Sequence, residues 1–126
     1  MKYADTTHQI IGCAMEVHKT LGNGFQEVVY QRALAIELSL KGLVYAREFE
    51  MPIIYKEHQI GTRRVDFLVE GQISVELKAV IEMEPIHLNQ ALNYLEVYNL
   101  EVGLLMNFGA RSLEYKRLLN KKYKPA

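Results

Sequence analysis

Arg64-Val65-Asp66-Phe67-Leu68-Val69, then Glu70-Gly71-Gln72, then Ile73-Ser74-Val75-Glu76-Leu77-Lys78: around this run the rest of the chain is arranged. Val65, Phe67 and Val69 alternate with Arg64, Asp66 and Leu68, and Ile73, Val75, Leu77 and Ala79 alternate with Ser74, Glu76 and Lys78. A period of two is that of a strand, and Gly71 between the runs marks a β-hairpin. Parity then matters. A two-residue turn at Glu70-Gly71 would send Asp66 and Glu76 to opposite faces of the sheet. A three-residue loop, Val69-Glu70-Gly71 with Gly71 in the left-handed region, puts Asp66, Glu76 and Lys78 on one face. The second arrangement, or an equivalent bulge, is expected. Two carboxylates and an ammonium would then share one small surface, of the kind that binds a hard divalent cation beside a phosphate.

The whole chain sets the frame for that surface. Its 126 residues are expected to form one domain, 1–126, long enough for a substantial core. An apolar content of 49% with 24% charged residues is that of a soluble globular protein. No apolar run approaches membrane-spanning length, and Met1-Lys2-Tyr3-Ala4-Asp5-Thr6 carries no signal-peptide apolar segment. Cys13 is the single cysteine, which excludes an intramolecular disulfide or thiolate cluster and fits a reducing cytoplasm. A formal net charge of zero speaks against a general nucleic-acid coating protein but leaves room for a local phosphate site.

Outward from the hairpin, the elements follow from periodicity. Thr6 with Gln9 reads as a capping box for a first helix, with Ile10, Ala14, Val17 and Leu21 on one stripe. Gly22-Asn23-Gly24 should stop it, with His18 a donor or cation near its C-terminus. A second helix from about Gln26 to Leu40 carries Val29, Ala33, Ile36 and Leu40 on one stripe. Glu27 lies in its first turn, where the helix dipole favours an acid, and Tyr30 is its neighbour one turn on. Taken alone, Tyr30 is a half-buried packing residue. A strand from about Tyr45 to Tyr55 contains Pro52 and should be an edge strand or carry a bulge. Glu57-His58-Gln59 reads as a polar turn before the central hairpin. Pro85 opens a third helix to about Tyr98, with Leu88, Ala91, Leu92 and Leu95 toward the core and His87, Gln90 and Tyr94 on a second stripe. Val102 to Met106 is a continuous apolar run, as in a strand buried on both faces and reached by a parallel crossover. Leu113 to Leu119 reads as a last strand or a short helix, and periodicity does not settle which. From Arg111 to Lys124 there are six basic residues against Glu114 alone: a solvated terminal segment, or a phosphate-backbone track.

No single one of these signals carries chemistry. Glu-x-Lys occurs by chance in many chains, and alternating Glu and Lys usually marks a solvated face. Their joint order is more specific: Asp66 on one strand, Glu76-x-Lys78 on the next, Gln90-x-x-x-Tyr94 on the crossover helix, and Glu27 at an earlier helix start. That order resembles the PD-(D/E)XK nuclease superfamily, and within it the RecB-like group that carries Gln-x-x-x-Tyr after Glu-x-Lys. Leu21-Gly22-Asn23-Gly24-Phe25-Gln26-Glu27-Val28-Val29-Tyr30 is similar to the signature of the GxxExxY protein family, with Gly24, Glu27 and Tyr30 at its named positions. Val75 to Ala79, His87 to Leu95 and Gly103 to Gly109 resemble that family's later blocks, so the likeness runs over about residues 5 to 120. Asn23 stands where a proline is common.

The resemblance implies an α/β, restriction-endonuclease-like mixed sheet flanked by helices, in the order α-α-β-β-β-α-β with a final strand or helix. It implies a nuclease using Mg²⁺ or Mn²⁺ on a nucleic acid, DNA first, with a homodimer expected by analogy for cutting two strands. Asp66 and Glu76, with the Leu77 carbonyl, would hold the metal, and Glu27 would be a further acid ligand. Lys78 would position or deprotonate the attacking water, Gln90 and Tyr94 would orient substrate or lysine, and Tyr30, Arg64 and His87 are candidate substrate contacts. Two other classes fit the same residues: a binding module with the nuclease fold and little turnover, and a structural subunit whose acids and lysine merely pair.

Overall fold

A computed structural model describes residues 3–126. Helices α1 (Ala4–Leu21) and α2 (Glu27–Leu40) precede strands β1 (Tyr45–Tyr55), β2 (His58–Val69) and β3 (Ile73–Lys78); helix α3 (Pro85–Val97) and strands β4 (Val102–Asn107) and β5 (Glu114–Leu119) follow. The five strands lie in the order β1-β2-β3-β4-β5, antiparallel except for β3 and β4, which run parallel across the α3 connection. The segment left open between strand and helix is therefore a strand, paired with β4 from Val102–Leu119 to Asn107–Glu114. β1 lies at the edge, and its register with β2 slips between Ile53 and Ile54, next to Pro52. Both devices suit a residue that has no amide to give to a ladder.

Helices cover both faces of the sheet. Phe67, Val75, Leu77, Leu104 and Met106 pack with the buried residues of α1 and α2, whereas Leu105 and Leu118 pack with Ala91 and Leu95 of α3. Alternation along β4 sends its side chains to the two layers in turn, so every residue from Val102 to Asn107 is buried.

Several local expectations need correction. α1 starts at Ala4 with Tyr3 as its cap, so Thr6 and Gln9 lie inside the helix; Thr7, not Thr6, donates back to the Tyr3 and Ala4 carbonyls at 3.0 Å. In α2 the buried stripe is Tyr30, Gln31, Leu34, Ala35 and Leu38, while Ile36 and Leu40 are 62% and 76% exposed. This helix is apolar around most of its circumference, so two stripes fit the helical period and only packing selects one. The polar turn after β1 contracts to Lys56-Glu57, both with positive φ (47° and 69°), and β2 begins at His58, directly opposite Tyr55.

The central hairpin has the expected parity with a displaced loop. Val69 pairs with Ile73 and Phe67 with Val75, so the three-residue loop is Glu70-Gly71-Gln72. Glu70 takes φ 54° and Gly71 φ 66°, and Gln72 donates to the Val69 carbonyl at 3.0 Å. The left-handed Glu70 is held from outside: its carboxylate accepts from the Val44 amide at 2.7 Å and its own amide donates to the Val44 carbonyl at 2.7 Å. Moving the loop by one residue shifts partners by two, so every side chain keeps its face.

Candidate active site

Beyond Phe67–Val75 the β2–β3 ladder stops, and the strands part. In place of a main-chain carbonyl of β2, the Asp66 carboxylate takes the Leu77 amide, N to Oδ2 at 2.8 Å. Its other oxygen accepts from Gln31 Nε2 of α2, also at 2.8 Å. Because a strand residue's N–H and C=O point to the same neighbour, the Leu77 carbonyl faces the same parting as its amide. The end of β3 is fixed just beyond Lys78. Asn107 Oδ1 accepts from the Val80 and Gly109 amides at 3.0 Å, and Phe108 N donates to the Lys78 carbonyl at 2.8 Å. Gly109 is obligatory here, since a Cβ on it would lie 2.4 Å from the Val80 backbone.

The parting opens into a cavity of about 380 Å³ whose wall includes Glu27 and Gln31 from α2, Glu48 from β1, Asp66 from β2, and Glu76 with Lys78 from β3. Four of the residues singled out in the sequence, Glu27, Asp66, Glu76 and Lys78, thus line one cavity from three elements, together with Leu77 and Arg64. Burial, above all, lifts the Asp66 carboxyl above its usual range and outweighs the Leu77 amide, the Gln31 amide and Lys78, while Glu48 adds to the rise. Burial likewise lifts Glu76 against Arg63 and Lys78, with Asp66 adding to it. Glu27 rises through partial burial and then Asp66, with Lys78 opposing and Glu76 adding; its side chain remains exposed, so water tempers the effect.

Three acids lie in one cavity where burial, above all, makes their charged forms costly. Its donors are carboxylate and carbonyl oxygens, the set preferred by Mg²⁺ or Mn²⁺, so the residues fit a hard divalent cation. Among the described residues no three His, Cys, Asp or Glu side chains stand close enough to form a ready cage. A cation here would keep water ligands, as Mg²⁺ ordinarily does.

The remaining sequence candidates fall elsewhere. Tyr30 is fully buried; its hydroxyl donates to the Gly22 carbonyl at 2.5 Å and accepts from Phe25 N at 3.2 Å, and its ring stacks on Phe108 at 4.8 Å. It therefore braces the α1–α2 link that presents Glu27. His87 Nδ1 accepts from the Glu84 amide at 3.0 Å at the start of α3. His18 lies 2.9 Å through Nε2 from the Ala110 carbonyl, which only accepts, so that nitrogen carries the proton. Arg64 pairs with Glu48 at 3.4 Å on the cavity rim. Gln90 and Tyr94 meet the site from the α3 side, through Arg63. That guanidinium donates to the Gln90 carbonyl at 2.7 Å, to Asn93 Oδ1 at 3.3 Å and to Glu76 Oε1 at 3.3 Å, and lies 5.5 Å from the Tyr94 ring centre. Burial, then Tyr98 and Glu76, push the Tyr94 hydroxyl up to about 12 against Arg63, so it stays protonated at neutral pH.

Arg63, Gln31 and Glu48 went unread in the sequence. Glu48 had one backbone signal that no sequence displays: it sits in β1 at φ 54°, between Arg47 (paired with Phe67) and Phe49 (paired with Val65), at the level of Asp66.

A family model for the PD-(D/E)XK nuclease superfamily matches residues 4–118. The chain belongs to the PD-(D/E)XK nuclease superfamily. Among solved structures, the crystal structure of SSO0001 is similar, with a TM-score of 0.60 at 14% identity over 94% of this chain and 60% of that one. This likeness concerns the fold: the five-strand mixed sheet flanked by helices is the restriction-endonuclease-like architecture. A comparison with curated proteins finds no match. Among the described residues no helix is long and apolar enough to cross a membrane.

Proposed function

We propose that this PD-(D/E)XK domain, taken as one unit over 1–126, is a nuclease that hydrolyses phosphodiester bonds of nucleic acid, DNA first, with Mg²⁺ or Mn²⁺. One observation carries the reading: acids from α2, β2 and β3 and the Lys78 amine line a single cavity where the β2–β3 ladder parts. In this reading Asp66, Glu76 and the Leu77 carbonyl hold the cation, and Glu27 reaches it directly or through water. When bound, the metal polarises the phosphoryl oxygen and makes a water acidic enough to act as nucleophile.

The chain's own residues do the rest. Asp66 is oriented by Gln31 and the Leu77 amide, so that its remaining lone pairs face the cavity. Lys78, which makes no ion pair within 4.0 Å among the described residues, orients the attacking water and offsets charge at the phosphate. Arg64, on the rim, takes a phosphate oxygen in exchange for Glu48. Gln90 and Tyr94 act on Glu76 from behind rather than from within the cavity. The likeness to the GxxExxY signature supports the same assignment of Glu27, with Tyr30 as its brace.

A second reading is a nucleic-acid-binding or partner-binding module with little turnover, and the lack of a ready three-ligand cage among the described residues favours it. A cleavage screen on single-stranded, duplex and branched DNA and RNA with Mg²⁺ and Mn²⁺ separates the two. Metal-dependent products that vanish in Glu76→Ala support the nuclease. Metal-stimulated binding without products supports the module.

A further inference from the structure

Glu76 is 8% exposed, and in this structure its counter-ion is a side chain of the same domain. Arg63 is unusually well seated for a strand residue near a sheet edge. Three of its contacts belong to α3: the Gln90 carbonyl at 2.7 Å, Asn93 Oδ1 at 3.3 Å and the face of Tyr94 at 5.5 Å. Only the fourth, to Glu76 Oε1 at 3.3 Å, belongs to the candidate metal site. The guanidinium therefore keeps its place whether or not Glu76 stays with it. Sequence alone drew attention to its neighbour Arg64, whose 62% exposed side chain pairs on the rim with Glu48.

We infer that Arg63 is a built-in placeholder for the divalent cation: it neutralises Glu76 in the metal-free domain, and a metal binding at Glu76 competes with it for that carboxylate while the guanidinium stays seated on α3. This rests on the metal-site reading above. The physical basis is a competition of like charges. A carboxylate buried among other acids needs a cation nearby, and leaving it without one is strongly unfavourable. Arg63 meets that need at rest, yet the same positive charge repels an incoming Mg²⁺ or Mn²⁺. Arg63 thus stabilises the empty site and weakens metal binding, and the Gln90-to-Tyr94 segment of α3 is the device that holds it ready. Once released from Glu76, the guanidinium still donates to α3.

The test is a Mn²⁺ titration of the whole chain by calorimetry and by melting temperature, comparing the parent with Arg63→Gln and Arg63→Lys. Arg63→Gln removes the charge and keeps a polar side chain, though one too short to reach the Gln90 carbonyl. It should melt lower without metal, bind Mn²⁺ about tenfold more tightly, the scale of a change next to a ligand, and gain more in melting temperature from Mn²⁺. Arg63→Lys keeps the charge and should bind Mn²⁺ like the parent. Equal or weaker Mn²⁺ binding by Arg63→Gln overturns the inference, because a merely structural Arg63 would lower stability without tightening the metal. If Arg63→Gln does not fold alone, Arg63→Met, which fills similar space without the charge, takes its place in the titration, and tighter or unchanged Mn²⁺ binding decides in the same way. A parent chain that binds no Mn²⁺ rejects the metal-site reading and this inference together, whereas a parent that binds as tightly as Arg63→Gln rejects the inference alone.

Discussion

Asp66→Asn separates the site's stability from its chemistry. Asp66 accepts two hydrogen bonds of 2.8 Å, from Gln31 Nε2 and from Leu77 N. An asparagine can keep its oxygen toward the Leu77 amide and turn its NH₂ to Gln31, whose Oε1 is buried and without a partner. A flip of the Gln31 amide then satisfies both groups. Two charge-assisted bonds become neutral ones, a loss of roughly 1–3 kcal/mol in total. Against this, the substitution removes a buried carboxylate whose charged form burial disfavours, so the opposing terms leave the metal-free variant within about 1 kcal/mol of the parent. Metal behaves differently. For a site with Kd of about 1 mM, 10 mM Mg²⁺ adds about 1.4 kcal/mol, which for a domain of this size raises Tm by roughly 4–5 °C. The assay is thermal unfolding of both proteins with and without 10 mM Mg²⁺. Similar metal-free curves, with a rise in the parent only, are expected. An equal rise in Asp66→Asn would refute the assignment of Asp66 as a ligand.

Lys78→Ala should keep the Mg²⁺-induced rise in Tm and lose cleavage by about 10²-fold or more, measured as single-turnover rate; unchanged cleavage would reject the lysine's role. Glu27, Asp66 and Glu76 all have carboxyl groups lifted above their usual values in the metal-free fold. Raised folded values mean that these groups favour folding below their unfolded values and that this contribution is lost as pH rises through the folded ones, so the metal-free domain should weaken from about pH 4 upward on their account. Mg²⁺, which prefers the charged carboxylates, should therefore raise Tm more at pH 8 than at pH 5; a rise independent of pH would contradict this. Gly109→Ala forces a Cβ to within 2.4 Å of the Val80 backbone, and should destabilise the chain by about 1–3 kcal/mol in denaturant melts as the β3 exit shifts.

What could be read from the sequence was whatever alternation and order encode. Period-two patterning across Gly71 gave the hairpin's parity even though the loop fell one residue later, and Asp66, Glu76 and Lys78 line one cavity where its ladder ends. Pro52 correctly marked an edge, and the unbroken run from Val102 marked the strand covered on both sides. Residues whose role depends on twist and on distant packing were not legible. Arg63 and Arg64 are adjacent and chemically identical, and only the course of β2 past α3 decides which of them meets Glu76. Gln31 lies on a helix that is apolar nearly all round, where the wrong stripe fits the period as well as the right one. Tyr30 stood out by motif and turned out to be fully buried, its hydroxyl closing the α1–α2 link.

The most direct measurement is cleavage of a labelled DNA and RNA panel by the parent chain and Glu76→Ala, each with EDTA, Mg²⁺ or Mn²⁺. Products are expected from the parent only when a divalent ion is present, and none from Glu76→Ala. Products that persist in EDTA, or equal cleavage by the variant, would contradict the metal-site reading.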